Sequence, residues 1–495
     1  MSGPDALARA LATTLPAYLP GRRWYGDKGR AVRSVSVADA AEVAFRGDRT
    51  WLTVVDVAFT EGQDARYFVP VAEARTKADV APPLGALDDS DGTAFLVDAF
   101  EVPGFLSWLI AAFERSSSIR SERGRFSWSA LPSGRECLSA ASAIPGRLSL
   151  AEQSNTSIRF GDAAFVKVFR RLRAGVNPDE EIGRYLAAET TFDRFPRPLG
   201  TGRYVDANGG SYPVALAQEY VASVGDGWEF TLRSLVDGKT GVGFAPAARR
   251  LGERTGQLHA ALAEETPDPA FAPEPLTAVD AAAWERRTRL ALHETERVLG
   301  SRRESLPSSS REAAAALTRG LPELERRAAG FGASVGAWKT RVHGDYHLGQ
   351  TLRAADGDWV ILDFEGEPAR SIEERRAKTS PLKDVAGMLR SFAYARGAAW
   401  RALDGRARNR KEEARLADWE AEARAAFLHG YRHAVGRAPV VPVPSDPVAF
   451  TRALVAWELD KALYEIAYEL DNRPDWLDLP LGALLGAVAV GGDSG

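Results

Sequence analysis

Residues 341–368 read RVHGDYHLGQTLRAADGDWVILDFEGEP, and this stretch decides how the rest of the chain is interpreted. It holds two acidic clusters, HGDYHLGQ at 343–350 and DFEGE at 363–367. The apolar run WVIL at 359–362 precedes the second cluster and predicts a short strand that ends there. The stretch thus joins Asp345 to the carboxylates of 363–367 through a turn and a strand.

These clusters meet the requirements of phosphoryl transfer, which needs a positioned base, metal ions and a cation on the nucleotide phosphates. In kinases the catalytic-loop Asp is followed five residues later by a metal-binding amide, and Asp345 and Gln350 have that spacing. A second acid after a strand then holds the metal, and Asp363 occupies that place. For either cluster alone the alternative is an ordinary turn, but the pair in this order favours a kinase.

The composition is that of an ordinary soluble globular protein. The 495 residues, of which 45% are hydrophobic and 26% charged, predict two or three domains. A net charge of -4 gives no indication of a nucleic-acid or anionic-membrane partner. The single Cys137 excludes an internal disulfide framework and a thiolate metal cluster, and it fits a reducing compartment.

Neither end of the chain predicts membrane targeting. The first twenty residues lack a basic segment followed by a long apolar run. The apolar run at 481–490 has about half the length of a spanning helix. We therefore expect a cytoplasmic enzyme.

Lys167 is the candidate cation for nucleotide phosphates. It sits among apolar neighbours in the predicted strand AFVKVF, where a buried lysine is costly unless it is paired. Kinases place a lysine on such a strand and pair it with an acid on the following helix. Asn177 predicts the start of that helix, Glu181 is the predicted partner and Glu180 the rival. The alternative is an edge-strand lysine that points to water.

Two further segments could bind the nucleotide. No GxGxxG loop is present, so the QSNTS turn at 153–157 would have to cradle phosphates with backbone N–H groups and hydroxyls. The apolar strand 213–221 ends in QEYV about 50 residues after Lys167. A kinase-like fold would place there the hinge whose backbone binds adenine.

The rest of the chain divides into a β-rich part and a helical part. Short alternating runs over 32–100 predict an antiparallel sheet, and the Ser- and Gly-rich segment 116–134 predicts a loop or boundary. Helices are predicted at 101–115, 244–263, 277–299 and 310–329. The motif LPGRRWYGDKGR at 19–30 could hold an anion, although a tight turn around a packed Trp24 is favoured.

The predicted helix at 450–472 has an aliphatic face and an aromatic face. At 100° per residue the aliphatic side chains share one face and aromatic and charged side chains the other. The second face comprises Trp457, Asp460, Lys461, Tyr464 and Tyr468. Aromatic rings beside carboxylates suit a carbohydrate, because the rings stack on apolar sugar faces. The alternative is a helix buried on both sides.

At this point the sequence resembles the bacterial maltokinases, within the aminoglycoside-phosphotransferase branch of the kinase-like fold. The resemblance runs from residue 19 to 476 and rests on six phrases. These are LPGRRWYGDKGR, EQSNTS, VKVFRRLRAGVNPDEEIGRYL, VHGDYHLGQTLR, LDFEGEPARSIEERRAKTSPLKDVAGMLRSFAYA and LDKALYEIAYELDNRPDW. DFEGEP and SPLKDVAGMLRSF are the most specific phrases, whereas HGD-x-H marks only the wider superfamily.

The resemblance implies transfer from ATP, with Mg²⁺, to the anomeric hydroxyl of maltose. The product, maltose 1-phosphate, would feed α-1,4-glucan synthesis from trehalose, which implies association with trehalose synthase; we expect a monomer. The implied fold is α+β, a two-lobed protein-kinase-like fold with an N-terminal β-rich cap. We predict the cap at 1–90, an intermediate region and the kinase N-lobe at 91–221, and a mostly helical C-lobe at 222–495.

The resemblance also implies roles for individual residues. Asp345 would accept or orient the proton of the sugar hydroxyl. Gln350, Asp363 and Glu365 would bind metal. The implied nucleotide contacts are Lys167, oriented by Glu181, with Ser154, Asn155 and Thr156 over the phosphates and Gln218, Glu219 and Val221 at adenine. The implied sugar contacts are His347, Tyr394, Trp457, Tyr464, Glu465, Tyr468 and Arg473.

Two other interpretations remain open at this stage. A kinase of the same fold could act on another sugar or amino sugar, such as glucosamine. A pseudokinase or glucan-binding module would keep the fold without transfer, but Lys167, Asp345, Gln350 and Asp363 are all present.

Overall fold

The computed structural model describes residues 4–45, 48–74, 83–89, 92–149, 155–237, 243–304, 306–403, 405 and 408–491. The predicted phosphate contact Ser154 lies outside these residues. The chain forms two compact units, the first made of residues 1–187 and 196–222, the second of 188–195 and 223–495. The boundaries predicted from the sequence at 90 and 221 stay a prediction.

The first unit is rich in strands. Its elements, in chain order, are α1 (Pro4–Tyr18), β1 (Val32–Phe45), β2 (Asp48–Phe59), β3 (Ala65–Phe68), β4 (Val71–Ala74), β5 (Gly85–Asp89), β6 (Gly92–Asp98), α2 (Pro103–Glu114), β7 (Ser118–Arg120), β8 (Gly124–Ala130), α3 (Arg135–Ser142), β9 (Arg147–Leu148), β10 (Thr156–Phe160), β11 (Ala164–Val168), β12 (Arg171–Leu172), α4 (Pro178–Glu189, which ends in the second unit), β13 (Pro198–Asp206) and β14 (Ser211–Gln218).

The N-terminal sheet has the order β12-β3-β2-β4-β6-β5, with β1 paired to β2. Its pairings are antiparallel, which confirms the prediction from the alternating runs. The leucines of α1, Leu7, Leu11 and Leu15, are buried in one core with Trp24 and Tyr67. Trp24 is therefore a packed residue, as the tight-turn interpretation of its motif requires.

The second sheet of this unit has the order β7-β8-β13-β14-β11-β10-β9. Strands β7 and β8 fall where the sequence predicted a loop or boundary, so that prediction was wrong. The reason is that β8 buries Phe126 and Trp128 at alternate positions while serine and arginine occupy the others. The two rings belong to a core that also contains Phe68 and Val166, so one core joins both sheets.

The second unit is mainly helical. Its elements are β15 (Ser223–Asp226), α5 (Gly227–Asp237), α6 (Ala245–Ala261), β16 (Glu274–Pro275), α7 (Ala278–Ser301), α8 (Ser308–Ala328), β17 (Trp338–Lys339), β18 (Thr351–Ala354), β19 (Trp359–Ile361), α9 (Ile372–Arg376), α10 (Leu382–Ala402), α11 (Arg410–Val435), α12 (Pro447–Asn472) and α13 (Asp478–Gly491). The three predicted helices α6, α7 and α8 are confirmed, as is the strand at 359–362. These elements confirm the α+β class.

The long helices of this unit share an apolar core. Leucines and alanines of α7, α8, α12 and α13 interlock in it, among them Leu292, Leu324 and Leu463. The antiparallel sheet β15-β18-β19 lies at the start of the unit, and β18 and β19 flank the turn between the two acidic clusters. The packed helices and this small sheet hold both clusters.

Candidate active site

The loop that carries Asp345 is held by a buried carboxylate, Asp384 at the start of α10. Asp384 accepts hydrogen bonds from the backbone N–H groups of His343 (2.8 Å) and Gly344 (2.9 Å). His259 of α6 donates from Nε2 to the same carboxylate (3.1 Å), and the Tyr431 hydroxyl donates to His259 Nδ1 (3.0 Å). Burial acts to raise the pKa of Asp384, but the bonds from His259 and the backbone keep it below its ordinary value. Three helices thus fix this loop through one anion.

The two acidic clusters lie side by side. His343 Nε2 donates to the carbonyl oxygen of Leu362 (2.8 Å), and Leu362 N donates to the carbonyl oxygen of Gln350 (3.0 Å). The Gln350 amide donates from Nε2 to Asp363 Oδ2 (2.9 Å). The side chains that kinase spacing assigned to the metal are therefore neighbours in this unit.

Oxygen ligands for Mg²⁺ are available here. A carboxylate oxygen of Asp363 and one of Glu365 lie within 4.8 Å of each other. Gln350, whose amide nitrogen contacts Asp363, also carries an amide oxygen. Carboxylate and amide oxygens are the ligands that Mg²⁺ takes. Asp363 has φ +67°, in the left-handed region that non-glycine residues rarely occupy, and such strain concentrates at functional sites. These residues fit a metal-binding role.

Asp345 is paired with a lysine from α12. Lys461 Nζ lies 3.1 Å from Asp345 Oδ1 and 3.2 Å from Glu367 Oε1. Burial would raise the pKa of Asp345, but the Lys461 cation, with His347, lowers it to about 2. Burial would lower the pKa of Lys461, and the two carboxylates outweigh burial and raise it. Asp345 is therefore ionised at neutral pH, the state that a proton acceptor needs.

His347 follows Asp345 by two residues and is half-buried. Its Nδ1 accepts a hydrogen bond from Gly349 N (3.1 Å), which leaves the ring proton on Nε2. Burial lowers the pKa of His347, although Asp345 opposes that effect. A neutral imidazole beside Asp345 can donate one hydrogen bond to a hydroxyl.

In the first unit, Lys167 has a buried acidic partner. Its Nζ lies 2.9 Å from Asp179 Oδ2 in the first turn of α4, and both side chains are almost fully buried. Asn177 caps that turn by accepting from the N–H groups of Asp179 and Glu180, as predicted. The prediction chose Glu181, and the structure shows an ion pair with Asp179, a fully buried residue of the same turn. Glu181 stays a prediction as a further partner.

Glu180, the other acid considered as a partner of Lys167, and the remaining nucleotide candidates also have defined contacts or burial. Glu180 binds Arg203 (2.5 and 2.6 Å), so it serves another cation. The hydroxyl of Thr156 accepts from Arg170 Nε (2.7 Å), next to Asn155 at the edge of the described turn. Gln218 ends β14 and is buried, while Glu219 N donates to the carbonyl oxygen of Arg197 (2.9 Å). Glu219 and Val221 are half-buried.

The structure brings several sugar candidates together on the C-terminal half of α12. The buried Glu469 accepts from the Tyr394 hydroxyl (3.1 Å) and from Arg473 (2.9 and 2.7 Å). Glu465 binds Arg390 (2.7 Å). The Tyr464 ring lies 4.7 Å from Lys461 Nζ, and Tyr468 is 48% exposed. These residues lie on the same side of α12 as Lys461, the lysine that binds Asp345.

Trp457 does not share this environment. It is 1% exposed and packs against Trp284 of α7 and Phe331, with ring centroids 5.0 Å away in both cases. The expectation of an open aromatic face is therefore wrong at Trp457, because α7 covers that end of α12. The helix is buried on both sides there, as the alternative interpretation had it.

Four residues of the site were not predicted as such. Asp179, Glu367 and Lys461 form buried or half-buried ion pairs, and the buried Asp384 accepts a hydrogen bond from His259. The sequence carried one signal for Lys461, a cation on a helix face between aromatic residues. Asp384 lay within a phrase that supported the family resemblance, without a role assigned to it.

Among the described residues, no helix combines the length and the apolar character that crossing a bilayer requires.

Comparisons with known proteins agree with this geometry. Residues 18–101 match the family described as maltokinase N-terminal cap domain, and residues 150–423 match the phosphotransferase enzyme family. A glucosamine kinase of Streptacidiphilus jiangxiensis is 31% identical over 356 residues, which cover 70% of this chain and 74% of that protein. A glucosamine kinase of Mycolicibacterium smegmatis is 30% identical over 341 residues, 67% of this chain and 77% of that protein.

Solved structures show the same fold. A glucosamine kinase in its crystal form B has a TM-score of 0.66 at 23% identity, over 97% of this chain and 99% of that one. A glucosamine kinase in complex with glucosamine, ADP and inorganic phosphate has a TM-score of 0.62 at 24% identity, over 91% and 93% of the two chains. The predicted kinase-like fold with an N-terminal cap is confirmed. The chain belongs to the phosphotransferase enzyme family, within the aminoglycoside-phosphotransferase superfamily, and carries the maltokinase N-terminal cap domain.

Proposed function

We propose that this protein is an ATP-dependent sugar kinase that phosphorylates the anomeric hydroxyl of maltose to give maltose 1-phosphate. The observation that carries the proposal is the carboxylate of Asp345, which Lys461 holds at 3.1 Å in a loop next to the Gln350–Asp363 pair. The match of residues 18–101 to the maltokinase cap supports maltose as the acceptor. The product would feed α-1,4-glucan synthesis from trehalose.

In the proposed reaction the sugar oxygen attacks the γ-phosphorus of ATP. A P–O bond forms at the sugar, the bond between the γ-phosphorus and the β,γ-bridging oxygen breaks, and ADP leaves with that electron pair. Asp345 takes the hydroxyl proton or orients the hydroxyl toward the phosphorus. Lys461 keeps Asp345 ionised between turnovers, and His347 orients the hydroxyl through its Nε2–H.

The other polar residues hold the donor. Lys167, fixed by Asp179, would neutralise the nucleotide phosphates, and Thr156 and Asn155 would cover them. Gln350, Asp363 and Glu365 would hold Mg²⁺, which when bound neutralises charge on the transferring phosphate. Backbone groups at 218–221 would bind adenine.

The charges around α12 support a neutral acceptor. Asp345 and Glu367 are paired with Lys461, Glu465 with Arg390, and Glu469 with Arg473. A protonated amino sugar binds best to a carboxylate that has no cation of its own, and Lys461 would repel it next to the base. A neutral disaccharide needs only hydrogen bonds and stacking, which Tyr464 and the exposed Tyr468 can supply.

Glucosamine is the second candidate acceptor. Two relatives, from Streptacidiphilus jiangxiensis and Mycolicibacterium smegmatis, are glucosamine kinases at 31% and 30% identity, and their likeness covers more than two thirds of each chain. On this reading one of the paired glutamates would exchange its arginine for the ammonium group of the sugar. The two candidates differ in the acceptor and share the machinery of transfer.

A panel of acceptors tests the proposal. Purified full-length protein with ATP and Mg²⁺ is assayed for ADP release with maltose, glucose, glucosamine, trehalose and longer maltodextrins, and the phosphorylated position is read by phosphorus NMR. We expect turnover with maltose and a phosphate on the anomeric carbon. Turnover with glucosamine and none with maltose would replace the first candidate by the second. Turnover with no sugar of the panel would contradict both.

A matched pair of variants tests the base. Asp345→Asn should lower kcat about 10²- to 10⁴-fold, the range for loss of a general base. Asp356→Asn is the control, because Asp356 is an exposed aspartate of the same stretch that pairs with Arg194. Equal kcat values for the two variants would remove Asp345 from the mechanism.

A further inference from the structure

The strand that carries Lys167 continues directly into the N-terminal sheet. Three residues after Lys167, the carbonyl oxygen of Arg170 accepts from Phe68 N (2.7 Å). Arg171 and Leu172 then form β12, which pairs with Tyr67 and Arg66 of β3. Only Val168 and Phe169 separate the lysine from this junction, and Phe169 N donates to the carbonyl oxygen of Val214 (3.0 Å).

The Arg170 side chain joins the cap to Thr156 of the QSNTS turn. It is 1% exposed and donates from Nη2 to Asp98 Oδ2 (2.7 Å) and from Nε to Thr156 Oγ1 (2.7 Å). Its guanidinium also lies 4.6 Å from the ring centroid of Trp24 and 4.3 Å from that of Phe100. One planar cation thus holds a residue predicted to cover the nucleotide phosphates against an anion and two rings of the cap.

Arg171, the next residue, makes a parallel connection. Its guanidinium lies 3.3 Å from Asp27 Oδ1, and Asp27 also accepts from the Tyr67 hydroxyl (2.5 Å) and from Arg30 (3.2 Å). Trp24 and Asp27 both belong to the motif at 19–30, to which the proposed reaction assigns no role. The motif therefore contacts both of the consecutive arginines that follow the lysine strand.

From these contacts we infer that the cap is a positioning device for the nucleotide site, in which Asp98 and Asp27 fix Arg170 and Arg171 and thereby the strand of Lys167 and the Thr156 hydroxyl. Buried arginine–carboxylate pairs have a narrow range of geometries, so they fix the orientation of the two side chains as well as the distance between them. With either end released, the lysine strand and the turn lose their common anchor. The inference rests on the proposed role of Lys167 in holding ATP.

The test measures affinity for MgATP in the absence of any sugar, by calorimetric titration of the full chain. Asp98→Asn removes the charge that Arg170 meets but keeps an oxygen to accept from Phe100 N. Asp27→Asn likewise removes the charge that Arg171 meets and keeps one side-chain oxygen. Each should weaken MgATP binding about tenfold, the effect of losing one charge-assisted hydrogen bond, and the KM for the sugar should not change. Arg170→Lys keeps the charge but cannot donate to Asp98 and Thr156 at the same time. It should weaken MgATP binding to a similar extent.

Asp39→Asn is the matched control. Asp39 is an equally buried cap carboxylate that accepts from Ser121 (2.5 Å) and Tyr204 (2.8 Å), away from the lysine strand. We expect Asp39→Asn to lower the melting temperature while leaving the affinity for MgATP as in the wild type. Affinities for Asp98→Asn and Asp27→Asn within twofold of the control would overturn the inference. Lys167→Ala distinguishes a failure of this inference from a failure of the proposed function. If this variant binds MgATP as tightly as the wild type, the proposed role of Lys167 in holding ATP is wrong.

Discussion

Lys461 Nζ and Asp345 Oδ1 lie 3.1 Å apart, although 115 residues separate them in the chain. The pair ties the loop of the candidate base to α12, the helix that also carries most of the sugar candidates. Its lysine is shared with Glu367, so one cation serves both acidic clusters. In the proposed mechanism, Lys461 would therefore couple the binding of an acceptor to the charge of the base.

Replacement of Lys461 by methionine should change the pH dependence of turnover. Without the cation, burial dominates and the pKa of Asp345 rises from about 2. Because the ionised form accepts the proton, the acidic limb of the kcat profile should move to higher pH. The measurement is kcat against pH at saturating ATP and sugar.

Lys383→Met is the control for that prediction. Lys383 lies 3.5 Å from the other carboxylate oxygen of Glu367 and leaves the pair of Asp345 and Lys461 intact. Its profile should follow that of the wild type. If the acidic limb moves equally in both variants, the effect comes from Glu367 and not from the base.

Replacement of Asp179 by asparagine should raise the KM for ATP more than the KM for the sugar. The change removes the buried partner of Lys167 Nζ, and breaking a buried ion pair releases the lysine from its fixed geometry. Initial rates with each substrate varied in turn give the two constants. Glu181→Gln should have the smaller effect. A larger rise in the KM for ATP with Glu181→Gln would make Glu181 the principal partner, as the sequence alone suggested.

Replacement of Gly344 by alanine should destabilise the catalytic loop. Gly344 has φ +87°, and an added Cβ would lie 3.2 Å from the Cα atom of Gly366. The expected cost is about 1–2 kcal/mol in the free energy of unfolding, together with a fall in kcat. Gly332→Ala is the control, since its Cβ would meet nothing within 4 Å. Urea unfolding of both variants provides the measurement, and equal midpoints would contradict the prediction.

The pair of Asp345 and Lys461 should also make stability depend on pH. The folded state lowers the pKa of Asp345 from 3.8 to about 2, so the carboxylate stabilises the fold above its ordinary pKa. That contribution, about 2 kcal/mol, is lost as the pH falls from about 4 to about 2. Asp345→Asn should therefore destabilise the protein at pH 7 and much less near pH 2. An equal difference at both pH values would show that the pair does not stabilise the fold.

The arrangement of the two acidic clusters was predictable because it is local. Asp345 and Gln350 are separated by one short loop, and a single strand leads to Asp363, so spacing alone indicated that the clusters would be neighbours. The β-rich first part and the helical second part followed from alternating runs before residue 100 and helical periodicity after 244. Each of these signals lies within a few turns of one element.

What the sequence missed depends on packing between distant elements. The face of Trp457 could not be assigned, because the helix that covers it contributes Trp284 from 173 positions earlier. Three consecutive acids open α4, and only the fold determines that Asp179 faces Lys167 while Glu180 faces Arg203. Strands β7 and β8 were not recognised in the sequence because serines occupy several of their solvent-facing positions.

The pairing of β12 with β3 has a consequence for how this protein can be divided. A fragment that begins after residue 101 would lose β3, together with Phe68 and its share of the core around Phe126 and Val166. Its β12 backbone would then have no strand to pair with and would lie beside exposed apolar side chains, a combination that promotes aggregation. We therefore expect the phosphotransferase region of this chain to need its cap, or another segment that covers the same backbone and side chains, in order to fold.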